Sequence, residues 1–116
     1  MPILDNLTFA YSDPGTGANT AQYFHGGPAV IIFVFTAAAT TTTIKGEISV
    51  DNGSTWCDLE DVNSAVVTKS SAAAFDSMFQ LRLPPCLIRT NITAAGGATT
   101  TGDVWVTSAI NEYDAS

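Results

Sequence analysis

Thr43 to Leu59 reads TIKGEISVDNGSTWCDL, and its first half alternates between apolar and polar residues. Ile44, Ile48 and Val50 fall on one side of an extended chain, and Lys45, Glu47 and Ser49 fall on the other. That period of two marks a half-buried strand over Thr43–Asp51, because successive strand side chains point to opposite faces. Asp51-Asn52-Gly53-Ser54 then supplies turn residues, and Thr55-Trp56-Cys57-Asp58-Leu59 resumes a strand-like pattern. An Asn-Gly pair between two such runs predicts a β-hairpin, since both residues tolerate the positive φ of a tight turn.

The same signature recurs on either side of the hairpin. Ile3–Ala10 reads as a first strand with Ile3, Leu7 and Phe9 on one face, followed by a turn over Ser12–Gly17. Gln22–His25 is a short strand ended by Gly26-Gly27-Pro28, and Ala29–Phe35 follows, apolar throughout. Val62–Lys69 reads as a short strand or a loop. Ala72–Leu83 fits a helix through Phe75, Met78 and Phe79, and a strand through Phe75, Ser77, Phe79, Leu81 and Leu83. Strand is preferred there, because Pro84-Pro85 ends the run and the next one is strand-like. Cys86–Thr93 places Cys86, Ile88 and Ile92 opposite Arg89 and Asn91, and Asp103–Ile110 places Val104, Val106 and Ile110 opposite Trp105. Ala37–Thr43 and Ala94–Gly102, rich in Ala, Thr and Gly, read as loops. About eight short strands with turn signals between them predict an all-β fold. We expect a single domain over residues 1–116, a two-sheet antiparallel β-sandwich, with the jelly roll as one way of winding it.

Composition narrows the function. Eleven acidic residues against four basic ones leave a formal charge of −7. Phosphate backbones are gripped by clustered Lys and Arg, whereas Lys45, Lys69, Arg82 and Arg89 are scattered, so neither nucleic acid nor an anionic membrane is an expected partner. The opening Met1-Pro2-Ile3-Leu4-Asp5 lacks the basic and apolar regions of a secretory signal, and the apolar run Ala29–Phe35 is too short to span a bilayer. Only 13% of residues are charged, against roughly a quarter in ordinary soluble domains. Such a surface is cheap to desolvate, which favours broad protein contacts.

Chemistry-bearing motifs are few. His25 is the single histidine and sits beside Gly26-Gly27, without a nucleophile or an orienting acid selected by its context. Asp51, Asp58, Glu60 and Asp61 lack the spacing of an EF-hand and read as solvated turn carboxylates rather than a Ca²⁺ site. Cys57 and Cys86 are expected as free thiols, given the missing secretion signal. No catalytic residue, metal site or cofactor is therefore predicted, and the chain is read as a non-enzyme.

Ala29–Phe35 is the anomaly. A sandwich strand should have one core face and one outward face, yet both faces are apolar here: Ile31, Phe33 and Phe35 on one, Val30, Ile32 and Val34 on the other. A barrel or a covering loop of the same chain would shelter the second face, and so would a neighbouring subunit; the subunit is preferred, because contiguous apolar patches usually mark contacts. Ile31, Phe33, Phe35 and Trp105, with the two chain ends, are the candidate interface residues, Trp being a frequent interface anchor.

Two resemblances can be placed on particular residues. Ser49, Asp51, Gly53, Thr55 and Trp56 are similar to the S-x-D-x-G-x-T-W Asp-box of sialidase-type propellers, where the box is a folding element. One copy cannot build a propeller, which needs at least four blades of roughly 40–50 residues, so the motif implies a structural hairpin. The run ISVDNGSTWCDL (48–59), with FQLRL (79–83), LIRTNI (87–92) and DVWV (103–106), resembles small virion proteins of tailed bacteriophages. That resemblance implies a capsid decoration, or cement, protein, of a kind that is β-rich and often a homotrimer. Its partner would be the major capsid protein, its place the outer surface of the virion capsid after assembly in the host cytoplasm, and its work the stabilisation of the expanded head. A tail, head-fibre or connector component is the alternative within the virion. A carbohydrate-binding β-sandwich is the alternative outside it, using Tyr11, Tyr23, Trp56, Trp105 and Tyr113.

Overall fold

A computed structural model describes residues 5–12, 17–37, 42–71, 73–94 and 101–109. They form ten β-strands and, among the described residues, no helix. In order these are β1 Asn6–Ser12, β2 Gly17–Ala18, β3 Gln22–Phe24, β4 Gly27–Ala37, β5 Thr42–Ser49, β6 Cys57–Asp58, β7 Thr68–Ser71, β8 Phe75–Leu83, β9 Cys86–Ala94 and β10 Thr101–Ser108.

The pairing zips the first half of the chain to the second. β1 runs antiparallel to β10, β2 and β3 to β9, β4 to β8, and β5 to both β6 and β7. Successive zipped pairs fall alternately in two sheets. Sheet A has the order β1-β10-β4-β8, and sheet B carries β9 and β5 at its centre, with β2 and β3 flanking β9 and β6 and β7 flanking β5. The β10·β4 and β9·β5 ladders close the winding. A double ribbon rolled alternately onto two sheets is the jelly-roll arrangement of a β-sandwich. Two positions of the ribbon are each split into a pair of short pieces, which is why ten strands fill an eight-strand plan.

Alternation decides which side chains meet between the sheets. Sheet A contributes Phe9, Ile31, Phe33, Phe35, Leu81, Leu83, Val104 and Val106, and sheet B contributes Phe24, Ile44, Cys86, Ile88 and Ile92, all buried. The stretch that fitted both helix and strand is β8, with Met78 62% exposed on its outer side. Nine register pairs to β4 hold it extended, and Pro84 follows its last residue. Several expected boundaries move: Ser12, Gly17, Ala37, Thr42, Ala94, Thr101 and Gly102 belong to strands rather than turns or loops, and Val50, Asp51, Thr55 and Trp56 lie outside the strands. Ladder bonds to a neighbouring strand offset the weak strand preference of Ala and Gly at such positions. Ile3, most of the Ser12–Gly17 turn, Ile110 and both chain ends lie outside the described residues.

Each open side of the sandwich is closed differently. On the β5–β8 side, residues 59–67 cross from sheet B to sheet A. Leu59 and Val67 are wholly buried wedges, the Leu59 N–H donates to the Gly46 carbonyl (2.9 Å), and the Val62 N–H donates to the Gln80 carbonyl (3.0 Å). Gly46 admits the wedge, because a Cβ there would lie 2.7 Å from Leu59 Cδ2. On the β1–β9 side, the Tyr11 hydroxyl bonds Thr90 Oγ1, and Asn19 Nδ2 donates to both oxygens at 2.8 Å. Burial raises the Tyr11 phenol above its ordinary range, so the bridge stays protonated.

Candidate functional site

The apolar strand β4 resolves the anomaly in the opposite sense to the expected contact residues. Ile31, Phe33 and Phe35 are the core face, exposed by 0%, 0% and 1%, with Phe33 tilted against Phe79 and Phe35 stacked on Phe75 at 4.9 Å between ring centroids. They cannot meet a partner, which corrects their assignment as interface residues. The reason is bulk: an isoleucine and two phenylalanines bury more apolar area than two valines and an isoleucine, at about 25 cal/mol per Å². Val30, Ile32 and Val34 therefore face outward and are only partly covered.

Register places their neighbours on the outer face of sheet A. Directly opposed residues share a face, so Thr8, Trp105, Ile32 and Met78 form one row across the sheet. Asn6, Thr107, Val30 and Gln80 form the next row, and Ala10, Asp103, Val34 and Asp76 form the row on the other side. Arg82 stands opposite Pro28 at the far end. Trp105 is thus where the sequence reading put it, on the outward face, but its companions are Val30, Ile32, Val34 and Met78. The outer face has an apolar centre, carboxylates at one end and a guanidinium at the other. Eleven acidic residues are spread through the chain, and among the described residues only Asp76 and Asp103 of them lie in these rows.

The hairpin at 49–56 forms as its motif demands. Asn52 and Gly53 both have positive φ, 62° and 92°, and form the bend at the tip of the connection 49–56 between the paired residues Ile48 and Cys57. Ser49 Oγ donates to Asp51 Oδ1 (2.7 Å) and accepts the Gly53 N–H (2.8 Å), while Thr55 N–H donates to the same carboxylate oxygen (2.8 Å). The Ser49 hydroxyl, followed by the Thr55 amide, holds the Asp51 carboxyl down at about 2. Trp56 lies over the Arg89 guanidinium, 3.8 Å from Cζ to the ring centroid. Ser49, Asp51, Gly53, Thr55 and Trp56 therefore hold the turn and the outer side of sheet B together.

That outer side departs from expectation in one respect. Glu47 and Ser49, on the polar side of the alternation, are 7% and 2% exposed. Ser49 is covered by the turn it braces. Glu47 is shielded by Arg89, whose Nε donates to Oε1 at 2.8 Å, and lies within reach of Asn91 Nδ2 and Lys45 Nζ. Lys45 also bonds Asp58 at 2.7 Å, and that carboxylate raises the pKa of the ammonium. A buried carboxylate with this many donors is a braced structural charge.

The remaining groups stay apart. Asp51 serves the turn, Asp58 serves Lys45, and Asp61 Oδ1 accepts the Asn63 and Ala65 amides, so these three carboxylates each have local work, while Glu60 is exposed. Among the described residues, no three His, Cys, Asp or Glu side chains gather into a group. His25 pairs with Asp5 at 2.9 Å, and its ring meets Tyr23 edge-on. Cys57 is exposed on β6, whereas Cys86 is buried and its thiol is pushed up to about 11 by desolvation. The aromatic side chains are not brought to one platform: Tyr11 is tied to Thr90, Trp56 covers sheet B, and Trp105 lies on sheet A, while Tyr113 is outside the described residues.

One feature escaped the sequence reading, a second exposed apolar area at the hairpin end. Val50 is 73% exposed and Tyr23 51%, and both line an open cleft with Asn52, Pro85 and Leu87. Val50 shares the parity of Ile44 and Ile48 and so reads as a core residue, but β5 stops at Ser49. No protein-family model matches the chain, no curated protein matches it, and no solved structure matches it.

Proposed function

We propose that this chain is a non-enzymatic structural protein of a virion, a capsid decoration protein that stabilises the expanded head. The observation that carries the reading is the outer face of sheet A, where Val30, Ile32, Val34, Trp105 and Met78 form an apolar centre on the solvent side of a two-layer fold. Contiguous apolar surface of this kind marks a contact. A decoration protein needs two surfaces, one for its own copies and one for the shell, and the hairpin end with Tyr23 and Val50 supplies a second. The jelly-roll winding recurs in viral coat proteins and also in lectins, so fold alone does not choose between them. Dispersal of Tyr11, Trp56 and Trp105 over different surfaces weighs against a sugar platform.

The mechanism is mass action. A protein that binds the expanded shell and not the unexpanded one stabilises it by RT ln(1 + [L]/Kd), about 2.7 kcal/mol per site at a hundredfold excess over Kd. The test mixes purified protein with heads assembled from the major capsid protein of the same genome, before and after expansion. Co-sedimentation with expanded heads only, and a raised disruption temperature, is expected. Failure to bind either form, or a genome without a major capsid gene, overturns the reading. Binding at a portal or tail ring instead would transfer the chain to the connector class.

A further inference from the structure

We propose that the outer face of sheet A packs against the same face of a second copy of this chain, across a two-fold axis that reverses the strands. The inference rests on the reading of that face as a contact surface, but not on what the resulting pair is mounted on.

The face is complementary to itself. Along β8 the outward residues run Asp76, Met78, Gln80 and Arg82, acid at one end and base at the other. Six residues of strand separate the charges by about 20 Å. A two-fold axis lying in the interface at right angles to the strands preserves their lateral order and reverses their direction. With that axis level with Phe79, Asp76 of one copy faces Arg82 of the other, twice over. The same operation sets Ile32 over Val30 and Trp105 over the smaller Thr107, because these pairs flank the same level on β4 and β10. Large meets small at the centre and opposite charges meet along β8, while Met78 faces Gln80 and Asp103 faces Ala109.

The neighbouring strand edge is a poorer contact. β8 is the last strand of sheet A, but its Gln80 carbonyl already accepts the Val62 N–H at 3.0 Å, so residues 59–67 stand where an added strand would pair. Four strands about 4.8 Å apart, over about 20 Å, give about 400 Å² a side. Both sides together make about 800 Å², below a standard interface and in the size class of weak, transient contacts, so the pair is a weak one, with an affinity in the micromolar range.

Sedimentation velocity over about 1–100 µM, a range chosen to bracket that affinity, tests the pair. The wild type should pass from monomer to dimer. Asp76→Arg or Arg82→Asp alone should weaken association by about tenfold, since each loses two attractions and gains two repulsions. The double reversal should restore it to within about threefold, which only reciprocal pairing explains. Both residues are exposed, so unchanged thermal melts at the lowest concentration will show that the variants fold. A monomer throughout, a trimer, or a double reversal no better than the singles overturns the inference. A monomer that still binds expanded heads would sink this pair and leave the decoration reading standing; a dimer that ignores heads would do the reverse.

Discussion

Phe33→Ala should cost far more stability than a change at the adjacent residue Ile32, because the two sit on opposite faces of β4. Phe33 is wholly buried between the sheets and pairs with Phe79 at 5.7 Å. Truncating a buried phenylalanine removes its transfer energy and leaves a cavity, together about 3–5 kcal/mol. A domain of this size holds about 6–17 kcal/mol in all, so the loss is a large share of it. The midpoint of thermal unfolding should fall by about 9–30 °C, at about 3–6 °C per kcal/mol for this chain length. Ile32 keeps part of its surface in solvent, and Ile32→Thr preserves the β-branch, so it should cost about 1 kcal/mol or less. Circular dichroism melts and urea titrations at sub-micromolar protein, where association adds little, measure both. Equal losses, or a greater one at Ile32, would mean that the core face of the strand is the wrong one.

Further outcomes follow from the same structure. Gly102→Ala should destabilise by about 1–3 kcal/mol in the same melts, because a Cβ there would lie 2.6 Å from the Val34 carbonyl oxygen and 2.8 Å from Phe35 Cα, backbone that cannot swing aside. The Asp51 carboxyl has its folded pKa below the ordinary 3.8, so its contribution is present above that value and is lost as pH falls toward about 2. Amide exchange at Gly53 and Thr55 should therefore quicken, relative to the strands, only on acidification through that window, and Asp51→Asn should flatten the dependence. A thiol reagent at neutral pH should label Cys57 promptly and Cys86 only on unfolding, because one is exposed and the other is buried with its thiol held protonated. Prompt labelling of both would contradict the placement of β9.

Much of the fold was legible because period and turn chemistry are local. The alternation over Ile44–Ser49 and the Asn52-Gly53 pair specify a hairpin without reference to the rest of the chain, and β8 and β9 declare their inner faces by the same rule. What stayed hidden needed tertiary information. Both faces of β4 are apolar, so period alone could not say which side was core; side-chain bulk was the usable signal, and it favoured Ile31, Phe33 and Phe35 going inward. Glu47 reads as solvent-facing until the Trp56–Arg89 stack is laid over it. Val50 keeps the parity of the core, yet the turn braced by Ser49 and Asp51 carries it into solvent. Met78 could be placed beside Ile32 and Trp105 only once β4 was known to separate β8 from β10.

The central claim is that the solvent side of sheet A is covered when the protein does its work. Hydroxyl-radical footprinting read by mass spectrometry tests it at Met78, a readily oxidised side chain that is 62% exposed in a single copy. Oxidation of Met78 and Trp105 should fall several-fold between dilute and associated protein, while Tyr23, on another surface, is oxidised equally in both when no shell is present. Unchanged oxidation of Met78 on association would show that copies meet elsewhere and that this face stays in water.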